Sequence, residues 1–369
     1  QLVVMKTKAA VLYEVGQPLV IEEVELDDPK EGEVLVKNGA AGICRSDRHF
    51  MHGDAPIALP VVLGHEGAGT VEKVGTGVTS VRPGQQVILS FVPSCGRCKS
   101  CIEGHGNVCD SHGATGPFMY DGTRRLHKGD QYIHHMGKVA CFSEYSVVPE
   151  AGCIPTTSPI PMDKAAMIGC CVPTGVGAVI YSANVQPGST VAVIGCGGVG
   201  LNVIMGAALV NASKIIAVDI RESQLEFAMK FGATHSVNAA DRDPVAQVKE
   251  LTDGRGADYT FEVFGSADTM KAAYDMTGKS GTMTVVGIAP VGAEAAINAV
   301  DIVRNEKTIR GTYYGSARSQ TDFPKLADMY LSGKLNLDDL VVRHYTLDRI
   351  NEAYGDMDKG EIGRGAIVY

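Results

Sequence analysis

The stretch "TVAVIGCGGVG", Thr190 to Gly200, constrains the fold more than any other. A continuous apolar run reads as a buried strand, Gly195, Gly197 and Gly200 follow, and "LNVIMGAALV" continues as an apolar helix. Strand, tight turn and helix in direct succession imply a crossover to a parallel neighbour. The rhythm persists through "KIIAVDI", "ESQLEFAMKFGA", "ADYTFEVFG" and "GTMTVVG". Apolar strands alternating with amphipathic helices predict an α/β fold, a doubly wound parallel sheet covered on both faces.

The same glycines have a chemical use. They permit a tight turn and let backbone N–H groups, those of Gly198 and Val199 included, approach a pyrophosphate seated at the helix N-terminus, where the dipole favours anions. Asp219 ends the next strand, at the distance expected of an acid that hydrogen-bonds both ribose hydroxyls. A carboxylate there repels a 2′-phosphate, so NAD is expected over NADP. Ile220 and Arg221 follow it, and the guanidinium could either accommodate that phosphate or cover the adenine.

The earlier part of the chain reads differently. From Lys6 to about Val92 short alternating runs are broken by Gly and Pro, the signature of a β-barrel or sandwich. Ser111 to Met136 is polar, His-rich and nearly aperiodic, and is expected to be a long surface loop. Strand-like text resumes at "CFSEYSVV", and the tail gives two or three helices and a last strand that pack back on the first domain. The expected division is residues 1–172 with 314–369 against 173–313.

With 33 basic and 42 acidic residues and a net charge of −9, no basic surface for nucleic acid or anionic lipid is expected. No apolar run has the length of a membrane span, and a cytoplasmic protein is expected. Ten cysteines in such a chain argue for metal ligands and buried thiols over disulfides.

Four of them stand in "CGRCKSCIEGHGNVC", as Cys95, Cys98, Cys101 and Cys109. One tight loop can point four thiolates at a tetrahedral Zn²⁺; an iron–sulfur cluster and a disulfide framework are the rival readings. Four protein ligands leave no open position, so such a zinc would hold a loop and do no chemistry.

Further polar clusters, "CRSDRH", "GHEGAG" and "GCCVPTGVGA", supply Cys44, His65 and Cys170. Two cysteines and a histidine form the ligand set of catalytic zinc with a free fourth position. These segments, with the four-cysteine loop and "GCGGVG", occur in the order and at the separations of the zinc-dependent medium-chain alcohol dehydrogenases, which the chain resembles from Met5 to Tyr369.

The resemblance implies a GroES-like β-barrel catalytic domain, a Rossmann domain, and two zincs per chain. Cys44, His65 and the cysteine four residues before Thr174 would bind catalytic zinc, which selects Cys170 over its neighbour Cys171. Glu66 would lie behind the metal as an alternate ligand, against the plainer reading of a buried carboxylate paired with a base. Asp47 would fix the His65 tautomer, or simply cap a loop. Ser46 and His49 match the proton relay, Arg45 and Arg364 the pyrophosphate-binding arginines, and Thr174 packs beside the nicotinamide in relatives. Zinc lowers the pKa of a bound alcohol as it does that of water, and the proton would leave through Ser46, the cofactor ribose and His49.

Ser46 with His49 is the arrangement of ordinary alcohol dehydrogenases, unlike the glutathione-dependent formaldehyde branch. Gln224 stands where many relatives carry a Lys near the ribose. Aligned positions suggest a pocket wall of Ala55, Phe91, Met136, Ile288 and Tyr313, with small Gly137 between them; Ile288 would also border the cofactor. An apolar wall with gaps predicts a bulky primary, aromatic or allylic alcohol. A homodimer is expected. Beside an exchanging NAD-dependent dehydrogenase stand two alternatives: a nicotinoprotein with permanently bound NAD(H), and a non-enzymatic NAD- and zinc-binding scaffold.

Overall fold

The computed structural model describes residues 4–369. The chain forms two units, one running to Cys170 and resuming at Arg318–Tyr369, the other Cys171–Ala317. Both junctions fall within a few residues of those expected, 172/173 and 313/314.

In the second unit all six strands are parallel. Their order across the sheet is His235–Asn238, Lys214–Asp219, Thr190–Ile194, Ala257–Glu262, Thr277–Val285, Thr308–Gly311. Counted along the unit this is 3-2-1-4-5-6, the doubly wound Rossmann arrangement, which reverses direction between the first and fourth strands. The central strands read as unbroken apolar runs because both faces are buried: Ala192, Ile194, Ile216 and Val218 join Ala273, Tyr274 and Met276 of the helix Ala267–Met276 in one core. Helix starts follow local chemistry. Asp243 accepts from the N–H groups of Val245 and Ala246 ahead of Pro244–Leu251, and Ser266 and Thr269 form a capping box.

The first unit is a β structure in two parts. Val4–Leu12, Val20–Asp27, Leu126–Lys128, Gln131–His135 and Val61–Val62 close into a barrel. A larger sheet runs Cys153–Pro155, Gln86–Leu89, Gly67–Val74, Glu33–Gly42, Arg364–Val368, Val341–Tyr345, with Tyr145–Pro149 also pairing with Glu33–Gly42. The tail therefore contributes two strands, where the sequence suggested one, and its residues Tyr345, Ile350, Tyr354 and Ile367 enter the barrel's core. No single helix among the described residues is long and apolar enough to cross a membrane.

The segment 111–136 is not the surface loop its composition suggested. It holds part of the helix Asp110–Thr115, two barrel strands, and buried Met119, Arg125, His134 and His135. Its polar residues are buried by pairing: the Arg125 guanidinium donates to both Glu33 carboxylate oxygens at 2.8 and 2.5 Å and to Asp121 at 2.9 Å. Hydrophobic periodicity is blind to burial of this kind.

Candidate metal and dinucleotide sites

The register Ala41↔Gly67 sets the ends of two antiparallel strands side by side. Cys44 follows the first and begins the helix Arg45–His52; His65 and Glu66 precede the second. The Gly42 N–H donates to the Glu66 carbonyl at 2.8 Å, and Cys170 arrives just beyond the helix Met162–Ile168. One ligand atom from each of Cys44, His65, Glu66 and Cys170 lies within 4.8 Å of the others, and all four residues are buried. Donors on a tetrahedral zinc, with bonds of about 2.0–2.3 Å, stand about 3.3–3.8 Å apart, so the cluster fits the ion. Cys171 lies outside it, fully buried at the start of its own helix.

Charge points the same way. The Cys44 thiol is held well below its ordinary range, first by its hydrogen bond with Cys170 and, against burial, by His65 and Arg364. Burial pushes Glu66 up to about 7, with Arg364 pulling it down. Burial disfavours a charged His65, yet Asp47 and Cys44 hold its pKa well above the usual value. A cavity lined by thiols and carboxylates that cannot all ionise alone suits a divalent cation. Oε1 of Glu66 is buried without a hydrogen-bond partner, while its Oε2 receives the Arg364 guanidinium, which also donates to the Ile43 carbonyl at 2.8 Å.

Asp47, fully buried in the first turn of Arg45–His52, accepts from the Gly64 N–H at 2.9 Å and stands 3.2 Å from His65 Nδ1. Nε2 is thereby left to face a metal. Ser46 is half-buried on the same turn; His49 Nδ1 lies 3.0 Å from Asp54 with its side chain 38% exposed. The Phe91 ring meets His65 edge-on at 5.2 Å. Met136 is buried and Ala55 half-buried in this unit; Ile288 and Tyr313, 65% and 43% exposed, belong to the other. Arg45 is exposed, whereas Arg364 is a buried partner of Glu66. Glu66 is thus a buried carboxylate paired with a base, as its plainer reading had it; the sequence could not name Arg364, 298 residues away, as the partner.

The four-cysteine loop also converges: one ligand atom from each of Cys95, Cys98, Cys101 and Cys109 lies within 4.8 Å of the rest. Backbone N–H groups turn to the sulfurs, Cys95 to Cys109 and Cys98 to Cys95 at 3.3 Å each, Cys101 to Cys98 at 3.5 Å. A hydrogen bond from Ser111 draws the Cys95 thiol down to about 6, while burial and the neighbouring sulfurs push Cys101 up to about 12. Such a set becomes four thiolates only around a cation, and zinc fits it.

In the second unit Gly195 has φ +94°, and a Cβ on Gly200 would stand 1.8 Å from the Gly195 carbonyl oxygen, so both positions demand glycine. A Cβ on Gly197 would meet nothing within 4 Å. That open side faces the start of the helix Gly198–Leu209, the cradle a pyrophosphate needs. Asp219 Oδ2 accepts from the Cys196 N–H at 2.9 Å; Oδ1 accepts from Ile220 and Arg221 at 2.8 and 3.1 Å. Ile220 and Arg221 are exposed, Gln224 is buried, and Thr174 is half-buried in Cys171–Gly177.

Comparison with known proteins shows the family. A family described as alcohol dehydrogenase GroES-like domain matches residues 30–159, and one described as zinc-binding dehydrogenase matches 198–332. The chain is 41% identical over 370 residues to the NDMA-dependent alcohol dehydrogenase of Amycolatopsis methanolica, covering 99% of each. The crystal structure of benzyl alcohol dehydrogenase from Acinetobacter calcoaceticus, 34% identical, superposes with a TM-score of 0.94 over 99% of both chains. An alcohol dehydrogenase zinc-binding domain protein from Burkholderia ambifaria, 35% identical, gives 0.94 over 99% of both.

Proposed function

This chain belongs to the zinc-dependent medium-chain alcohol dehydrogenases, and on that premise we propose that it oxidises primary alcohols, bulky aromatic or allylic ones above all, reversibly to aldehydes with hydride transfer to NAD. The observation that carries the reading is the buried convergence of Cys44, His65 and Cys170, with Asp47 on the far nitrogen of the imidazole. A scaffold protein would need only the closed cage.

Cys44, His65 and Cys170 hold the catalytic zinc, with Glu66 in reserve, and Cys95, Cys98, Cys101 and Cys109 hold a structural one. When bound, the catalytic ion supplies the Lewis acidity that brings a hydroxyl's ionisation toward neutral pH. Asp47 would keep the proton of His65 on Nδ1, leaving the lone pair of Nε2 for the metal. Ser46 would take up the substrate's proton on its hydroxyl, and His49, whose ring is partly exposed, would release a proton to water. Phe91, against His65, keeps water from the reacting carbon. The N–H groups after Gly197 bind the pyrophosphate, Asp219 the ribose, and its charge turns away a 2′-phosphate. A homodimer remains our reading of the assembly; the edge strand Thr308–Gly311, exposed along its whole length, supports it.

The name of the Amycolatopsis relative favours one second reading, in which NAD(H) stays bound and electrons pass to another acceptor. Native mass spectrometry of the freshly purified protein separates the two. Two zincs and no retained nucleotide, with activity falling from benzylic alcohols to ethanol in added NAD, is the expected result. Retained NAD(H) with NDMA-dependent turnover would establish the second reading; a single zinc in an intact preparation would sink the mechanism.

A further inference from the structure

Lys138 is a buried cation that the mechanism does not use. Its side chain is fully buried, and among the described residues no carboxylate pairs with it. A buried ammonium without a counter-charge is costly. Nζ donates to the carbonyls of His112 and Gly116, at 3.4 and 2.9 Å, and lies 5.2 Å from the Tyr120 ring centre. Those carbonyls close the helix Asp110–Thr115, which starts directly after Cys109. Burial lowers the Lys138 pKa to about 8, and Cys109, at the head of that helix, opposes the shift. Tyr120, whose hydroxyl donates to the Pro93 carbonyl, feels all four cysteines of the cage. Four thiolates on one Zn²⁺ leave two surplus negative charges.

Lys138 also ends the turn Met136–Lys138. A Cβ on Gly137, φ +58°, would stand 2.9 Å from the Phe91 Cβ, so this turn lies directly on the residue that packs on His65. Lys138 itself has φ +59°, in the left-handed region that a non-glycine residue adopts only when its surroundings compel it. The contacts that hold it there are its bonds to the His112 and Gly116 carbonyls, on the helix that starts directly after Cys109.

We infer that Lys138 is the counter-cation of the four-thiolate cage and, through the turn Met136–Lys138, makes occupancy of the closed metal site set the wall beside the open one. This rests on the reading that the cage holds zinc. It gives the structural metal a second task, as a positioning charge for the Phe91 side of the alcohol site.

The test uses the holoenzyme and Lys138→Gln, which keeps donors for the two carbonyls and removes the charge. Zinc release to a colorimetric chelator is followed while alkylation of Cys95, Cys98, Cys101 and Cys109, mapped by mass spectrometry, identifies the lobe's phase. The variant should release that zinc roughly 10–100-fold faster, the range that groups behind metal ligands command. KM for a benzylic alcohol should rise with kcat little changed. Release at the wild-type rate would reduce Lys138 to a helix cap and overturn the inference. If the variant does not fold, acetylation of Lys138 in wild-type protein decides. It should accelerate once the lobe's zinc is withdrawn, and an unchanged rate would overturn the inference. A lobe that holds no zinc in fresh protein is a different failure, of the metal reading itself, and the zinc count distinguishes it.

Discussion

The two metal-ligand clusters sit in the same unit and are built in opposite ways. The cage draws its ligands from Cys95 to Cys109, three of its cysteines are partly exposed, and the loop's own N–H groups turn to the sulfurs. The open cluster spans Cys44 to Cys170, every member is buried, and the supporting bonds come from other elements: Asp47 behind His65, Arg364 behind Glu66. A local cage needs only a short loop. A reactive site needs a completed fold, because its ligands must be held while one position stays free for substrate.

The sharpest break is to remove a ligand from each cluster in turn. Cys170→Ser should lose one zinc of two and take kcat to background, a fall beyond roughly 10³-fold, since the electrostatic term dominates such chemistry. Cys171→Ser, one residue on, should keep both metals and most activity. Metal analysis with steady-state kinetics checks the pair, and equal losses would reverse the assignment of the doublet. Cys98→Ser should lose the other zinc and expose the segment from Cys95 to Arg125 to limited proteolysis, with a smaller loss of kcat.

Next in size is the support behind the open site. Asp47→Asn should weaken zinc binding by about 10–100-fold in competition with a chelator while the cage's zinc is unaffected. The smallest effect concerns pH. Burial holds His135 down to about 3 and His112 down to about 4. Both are neutral when folded and take up protons near pH 6.5 when unfolded, so their contribution is present above that pH and lost as pH falls toward those values. Between pH 7.5 and 5 the fully buried His135 should account for about 2 kcal/mol, and half-buried His112 for less. Urea midpoints at the two pH values, compared with those of His135→Phe, would show the slope flatten; an unchanged slope would rule out His135 as its source.

The contrast also explains what the sequence could and could not say. The cage and the glycine turn were legible because their chemistry is written within a few residues: thiols at short intervals, glycines where a Cβ would strike the Gly195 carbonyl. The dispersed ligands were legible only through a family resemblance, since nothing in "CRSDRH" or "GCCVPTG" alone separates a ligand from a buried thiol. Lys138, Arg125 and the identity of Glu66's partner Arg364 escaped because a buried charged side chain leaves no periodic trace; the same blindness turned two barrel strands into an expected loop. In the tail, "VVRHY" is a strand because it lies parallel to Arg364–Val368, a long-range fact no local pattern carries.

That last strand bears on how the protein is made. Arg364, which holds Glu66, leaves the ribosome after the whole of Cys171–Ala317. The dinucleotide unit can therefore fold while the unit begun before it still lacks the strand that pairs with Ala40–Gly42. Through that interval Cys44, His65 and Cys170 are all synthesised but not yet braced, whereas the four-cysteine loop has all four of its cysteines as soon as Cys109 emerges. The cysteines of the closed cage can thus converge first, and the reactive site is among the last features to be finished.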